Sequence, residues 1–237
     1  MNKLGIVIAT YQRKDGSTPK YLTRALDSVF NQTYQDFKIF LIGDKYEDED
    51  EIKNLIEKYP KNKLYFENLP FAKERDKYAN NKWILWSYGG VNAINYGIDK
   101  SMTEGYEYIC HLDHDDWWDE NHLSLINDCI ISTNSPWVCT KSTYYSEENV
   151  LPNIISDDEL IEFHPKSGQV IHSSVCMNFK KIPFKYRNVY EETGESTIQA
   201  DGDLWERTKK FLIENNLKSY LINKITCRHD EEGYERK

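Results

Sequence analysis

The feature that most constrains this chain is an alternation of short apolar runs with stretches of helical period, sustained from the first residues to about residue 131. Leu4 to Ala9 is apolar and β-branched and stops at Thr10-Tyr11, the pattern of a buried strand that delivers a loop. Lys20 to Gln32 predicts a helix: Leu22, Leu26, Val29 and Phe30 recur at three- and four-residue spacing, and Pro19 stands where a helix start tolerates proline. Phe37 to Ile42 reads as a second strand, and the acidic run Asp44 to Glu51 leads into a helix carrying Ile52, Leu55 and Ile56. Leu64 to Phe66 and Tyr106 to Leu112 read as further strands, Val91 to Ser101 and His122 to Ile131 as further helices. The expectation is an α/β fold, a mostly parallel sheet covered by helices on both faces.

Past residue 131 the periodicity weakens. Residues 136 to 190 predict short strands punctuated by Pro152, Pro165 and Pro183, and Asp203 to Asn216 predicts a helix. No repeat or linker divides the halves, so one domain over residues 1–237 is expected, with 17 Tyr and 6 Trp contributing to its core. A net charge of −9 argues against general affinity for nucleic acid or anionic lipid. An anionic substrate would then need a metal or a local basic patch. Five scattered cysteines without a CxxC pair signal neither a disulfide framework nor a zinc site, which suits a cytoplasmic protein. No apolar run approaches ~20 residues, so no transmembrane segment is expected, although a small aromatic patch could dock peripherally to a lipid-linked acceptor.

Three constellations could carry chemistry. Asp113-His114-Asp115-Asp116-Trp117-Trp118 follows the strand ending at Leu112, and three carboxylates in four positions at a strand's C-terminal end are costly unless a cation neutralises them. Hard oxygen donors suit Mg²⁺ or Mn²⁺; the alternative is a solvated acidic turn capping the next helix. Ala200-Asp201-Gly202-Asp203 opens the last helix, where Asp201 is either an N-terminal cap or a general base for an acceptor hydroxyl. Cys227-Arg228-His229-Asp230 offers an imidazole that could complete a metal site and an arginine for phosphate, or an ordinary structural histidine.

The order of these features resembles family 2 of the inverting glycosyltransferases, with the GT-A fold, over nearly the whole chain. Gly5 to Arg13 looks like that family's first strand and donor-binding loop, and Ala25 to Phe37 is similar to its helix and QT-turn. Asp44 falls on the aspartate that contacts the nucleotide base, and Ala93 to Ile98 on the helix before the metal motif. The resemblance implies a nucleotide-diphospho-sugar donor, a UDP-sugar first, cradled by Thr10, Tyr11, Arg13 and Asp44, with Tyr11 stacking on the base. It implies Asp115 as the direct ligand of Mn²⁺ or Mg²⁺, His229 as a further ligand, and Asp113 and Asp116 holding ribose, sugar or metal-bound water. Asp201 becomes the catalytic base in a single inverting displacement onto a glycan, glycolipid or protein-linked acceptor. Residues 1–131 would bind the donor and 132–237 the acceptor. Three positions depart from the family: Gly43 in place of an aspartate, Ala200 in place of a glutamate and Ile94 in place of a basic residue; Lys73, Arg75 or Lys82 could supply the missing charge. The competing readings are a nucleotide-sugar or glycan-binding protein of the same fold, a nucleotidyltransferase, and a glycoside hydrolase using Asp115 and Asp201.

Overall fold

β1, Leu4–Thr10, is buried at every residue but Ala9, as an apolar run without polar alternation requires of a strand covered on both faces. The structure, a computed structural model, describes residues 2–229. The first half runs α1 (Thr18–Phe30), β2 (Phe37–Gly43), α2 (Glu49–Ile56), β3 (Leu64–Asn68), α3 (Lys73–Lys77), α4 (Lys82–Tyr88), α5 (Val91–Thr103), β4 (Tyr108–His111), β5 (Trp117–Trp118) and α6 (His122–Thr133). The second half runs β6 (Trp137–Tyr144), β7 (Val150–Leu151), β8 (Leu160–Glu162), a 3-10 turn His172–Ser174, β9 (Val175–Asn178), α7 (Val189–Thr193), α8 (Ala200–Glu214) and β10 (Tyr220–His229). No described helix is long and apolar enough to cross a membrane.

All these strands join one sheet, ordered β3-β2-β1-β4-β9-β6-β10-β5, with β7 on β6 and β8 on β10. The expected parallel pairing holds from β3 to β4, where helices make the crossovers. Beyond β4 the sheet is mixed: β9 runs antiparallel to both β4 and β6, and β6 is again parallel to β10. α3 and α4 fall in a stretch whose sequence predicts no helix, and the ten-residue β10 is likewise absent from the sequence expectation. α8 begins at Ala200 and not Asp203, which sets Asp201 inside its first turn.

Close packing positions the parallel half. At Gly97 of α5 an added Cβ would lie 2.7 Å from Val7 Cγ1 and 3.1 Å from Ile42 Cγ1, so the helix rests directly on β1 and β2. Gly97→Ala is therefore expected to lower the urea unfolding midpoint, because overpacking of about 1–3 kcal/mol outweighs a gain in helix propensity of about 1 kcal/mol. An unchanged or higher midpoint contradicts that packing.

Candidate active site

β1, β2 and β4 are parallel neighbours, so the loops leaving Thr10, Gly43 and His111 emerge at one edge, where open α/β sheets bind ligands. Thr10 is wholly buried and its Oγ1 has no protein partner among the described residues. The Asp44 N–H donates to the Thr10 carbonyl at 2.7 Å, tying the two loops together. The Gly43 departure has a physical reason here: an added Cβ would meet Asn68 Oδ1 at 2.4 Å. Asn68 needs that space to bond the backbone N–H and C=O of Tyr46 at 2.8 and 2.9 Å, which holds the Asp44 loop from β3.

Arg75, from α3, completes this corner. Its Nε donates to Asp44 Oδ2 at 2.9 Å and its guanidinium lies 3.4 Å from the centroid of the Tyr11 ring. Burial raises the Asp44 carboxyl above its usual range and Arg75 opposes that. Of the cations considered for this edge, Arg75 is brought to it, whereas Lys73 faces Glu191 at 3.7 Å. Two further arginines converge. Arg13 donates to Asp115 Oδ2 at 2.6 Å, and Arg24 donates to the Asp115 carbonyl at 2.6 Å while covering Trp117 at 3.8 Å. Arg13, Arg24 and Arg75 are a local basic patch in a chain of net charge −9.

The remaining carboxylates pair with histidines. Asp113 Oδ1 lies 3.2 Å from His172 Nδ1, and Asp116 Oδ1 lies 2.9 Å from His229 Nδ1. Ser173 fastens both, accepting from the Asp113 N–H at 3.0 Å and donating to Asp116 Oδ2. Desolvation opposes charge on Asp113, but His172 and His229 overcome it and hold the carboxyl below its usual range. Burial pushes Asp116 up to about 6 against the pull of His229. Desolvation opposes charge on His229 too, yet Asp116 carries the imidazole up to about 9. Arg228, considered for phosphate, is engaged by Asp119 at 2.9 Å and Glu147 at 2.7 Å, and Asp230 lies outside the described residues.

Among the described residues no three His, Cys, Asp or Glu side chains converge on a single metal position. Asp115 and His229, the expected ligands, point to Arg13 and Asp116 respectively. The donor chemistry nevertheless fits Mg²⁺ or Mn²⁺: the charge of the three carboxylates is balanced here by Arg13, His172 and His229, a demand that a divalent ion also meets, and the His229 imidazole, once deprotonated, is a further donor.

Asp113, His229 and Asp201 line one cavity of about 330 Å³, together with Trp86, His172 and Tyr186. Asp201 Oδ1 accepts the Gly202 N–H at 2.7 Å, and desolvation raises its carboxyl while His172 opposes the rise. Gly202 is glycine because a Cβ there would stand 2.4 Å from Ser167 Oγ. Asp203 serves the fold instead, since Arg187 grips it at 2.7 and 2.9 Å and Arg207 at 2.7 Å, which fixes the start of α8. Ala200 is buried in the core and Ile94 lines the cavity, so both departures are accommodated by packing. His172, Tyr186, Ser173 and Arg24 carry no signal in the sequence; they come near the acidic motif only through the fold. Trp83 and Trp86, 5.0 Å apart and 54% and 44% exposed, stand at the outer face of α4.

The profile of the family described as "Glycosyl transferase family 2" matches residues 5–190. An uncharacterized glycosyltransferase of Acanthamoeba polyphaga mimivirus is 39% identical over 239 residues, covering 98% of this chain and 95% of its own. Succinoglycan biosynthesis protein ExoW of Rhizobium meliloti is 32% identical over 125 residues, which cover 52% of this chain and 32% of that protein. Among solved structures, S. aureus TarS in complex with UDP-GlcNAc superposes with a TM-score of 0.70 at 15% identity, covering 98% of this chain and 60% of that one. Mannosyltransferase PcManGT from Pyrobaculum calidifontis, in complex with GDP-Man and Mn2+, gives 0.63 at 11% identity, covering 98% and 58%. The chain thus spans less than two thirds of ExoW and of both solved structures, and shares the fold of the latter two.

Proposed function

The chain belongs to glycosyl transferase family 2 and is a glycosyltransferase, and we propose that it moves a hexose from a nucleoside-diphosphate sugar to an acceptor hydroxyl in one inverting, metal-assisted displacement. The observation that carries this reading is a single cavity holding Asp113 from the acidic motif and Asp201 from α8, beside a cluster of three arginines. The uridine base belongs between Tyr11 and Asp44, where Arg75 now lies; UDP is the first donor nucleotide to test because TarS is solved with UDP-GlcNAc. Arg13, Arg24 and Arg75 would attract the diphosphate electrostatically.

Asp201 takes the proton of the acceptor hydroxyl as its oxygen bonds to the anomeric carbon and the bond from that carbon to the diphosphate oxygen breaks. Desolvation of Asp201 suits a general base, since it raises the carboxylate's affinity for that proton. Attack from the face opposite the leaving group inverts the anomeric centre. A divalent cation held by Asp115 and His229, with Asp113 and Asp116 beside them, would supply Lewis-acid stabilisation of the departing diphosphate. Residues 1–131 contribute most of the donor side, and Asp201, on the later wall of the cavity, faces the acceptor. A glycan, glycolipid or protein-linked sugar would enter past Trp86. In this reading the protein works in the cytoplasm.

The test is a panel of nucleotide sugars scored for binding and turnover with Mn²⁺, with Mg²⁺ and with chelator. The expected result is metal-dependent turnover of one donor, and in Asp115→Asn a rise of at least about 10- to 100-fold in the metal concentration giving half-maximal rate, since even a residue that only orients a ligand is worth that much. Tight donor binding without turnover favours a binding protein, to which the alanine at position 200 lends support. Absence of both binding and turnover sinks the nucleotide-sugar reading.

A further inference from the structure

We propose that Tyr186 and His172 form the subsite that recognises the transferred hexose, each engaging a hydroxyl of the donor sugar; the inference rests on the nucleotide-sugar reading above. Tyr186 is 4% exposed, yet its Oη has no protein partner among the described residues. Buried phenolic hydroxyls ordinarily find one, because leaving the group unsatisfied costs free energy until a partner arrives. The neighbouring His172 has the same property at one nitrogen: Nδ1 faces Asp113 Oδ1 at 3.2 Å, while Nε2 is buried without a protein partner among the described residues. The two rings meet edge to face with centroids 5.3 Å apart, and both line the cavity that holds Asp113 and Asp201.

Neither side chain is loosely placed. Asn95 clamps the backbone of Tyr186 from both sides, donating to its C=O at 2.7 Å and accepting its N–H at 3.1 Å. His111 backs the His172 ring at 4.8 Å and the Tyr186 ring at 5.5 Å. A rigid pair of polar atoms of this kind discriminates strongly, since a ligand that cannot bond them leaves them buried and unpaired. A phenol and an imidazole match sugar hydroxyls; the diphosphate finds its complement in the arginines of the other loops. The donor hexose is assigned in preference to the acceptor because Tyr186 lies in the buried part of the cavity, whereas an acceptor arrives from solvent over a donor already seated.

The experiment measures affinities for UDP and three UDP-hexoses, and for GDP and GDP-mannose, in wild type, Tyr186→Phe and His172→Gln. The readout is the ratio of nucleotide-sugar to bare-nucleotide affinity for whichever nucleotide binds. The wild type should favour one sugar over its bare nucleotide, and each variant should shrink that ratio about tenfold, the worth of one hydrogen bond to a ligand. Tyr186→Phe should unfold at no lower temperature than wild type, because it deletes an unpartnered buried hydroxyl and keeps the ring. An unchanged ratio, a parallel loss of bare-nucleotide affinity, or a loss confined to acceptor KM overturns the subsite and leaves the transferase reading standing. A wild type that binds no nucleotide or nucleotide sugar overturns both. If Tyr186→Phe fails to fold, its stability prediction is wrong and His172→Gln decides the ratio.

Discussion

Asp201→Asn is expected to lower kcat by about 10²- to 10⁴-fold while nucleotide-sugar affinity stays within a few-fold, the range assigned to a positioned general base. Asparagine keeps the volume of the side chain and an oxygen able to accept the Gly202 N–H, so the first turn of α8 should persist. What it loses is the ability to accept the acceptor's proton. Asp203→Asn, two residues on, is the contrasting variant. Asp203 is locked between Arg187 and Arg207 and is 6% exposed, so its loss should reach stability and only indirectly the chemistry. Steady-state kinetics with the preferred donor, alongside donor titration, separates the two. A fall of less than tenfold in Asp201→Asn would remove this residue from the role of base.

What the amino-acid sequence discloses and what it hides divide along physical lines. β1 and β2 are legible because strands buried on both faces must be continuous apolar runs. β10 is not, for its apolar pattern is interrupted at Asn223-Lys224, where the register against β6 slips between Ile222 and Ile225 and again before Cys227. The acidic motif is legible because Asp113, Asp115 and Asp116 fall within four consecutive residues. Their partners are not, since Arg13 lies 102 residues from Asp115, His172 lies 59 from Asp113, and His229 lies 113 from Asp116. His229 emerges through family resemblance and not through spacing. Arg75 is only one of three candidate cations until α3 places it on Tyr11 and Asp44. The departures tell the same story: Gly43 reads as a lost contact in the sequence, and becomes intelligible only with Asn68 in the space a side chain would fill.

Acid should unfold this protein earlier than its carboxylates alone would dictate. His122 is wholly buried, its Nδ1 lies 2.8 Å from Thr226 Oγ1, and its ring stacks on Trp118 at 4.3 Å. Burial lowers its pKa from 6.5 to about 3. A folded-state value below the unfolded one means that stability is complete above about pH 6.5 and is lost as the unfolded chain takes up a proton the folded chain refuses. The loss runs at roughly 1.4 kcal/mol per pH unit until the pH nears the folded value. His111, fully buried with neither ring nitrogen bonded to protein among the described residues, is lowered in the same direction by burial and by His172, and His114 by burial, so both steepen the slope. His172 and His229 are shifted upward, so they are protonated in both states below pH 6 and add no slope there. Between pH 6.5 and 5 His122 alone should therefore remove about 2 kcal/mol of a typical folding free energy of about 5–15 kcal/mol; His111 and His114 add to that loss, and Asp116, pushed up to about 6 by burial, offsets part of it. Urea unfolding across that window for wild type and His122→Gln checks the assignment. The variant should lose about 1.4 kcal/mol per pH unit of the slope, whatever its stability at pH 7.5, because glutamine has no proton to gain; an undiminished slope would show that His122 already titrates normally in the folded state.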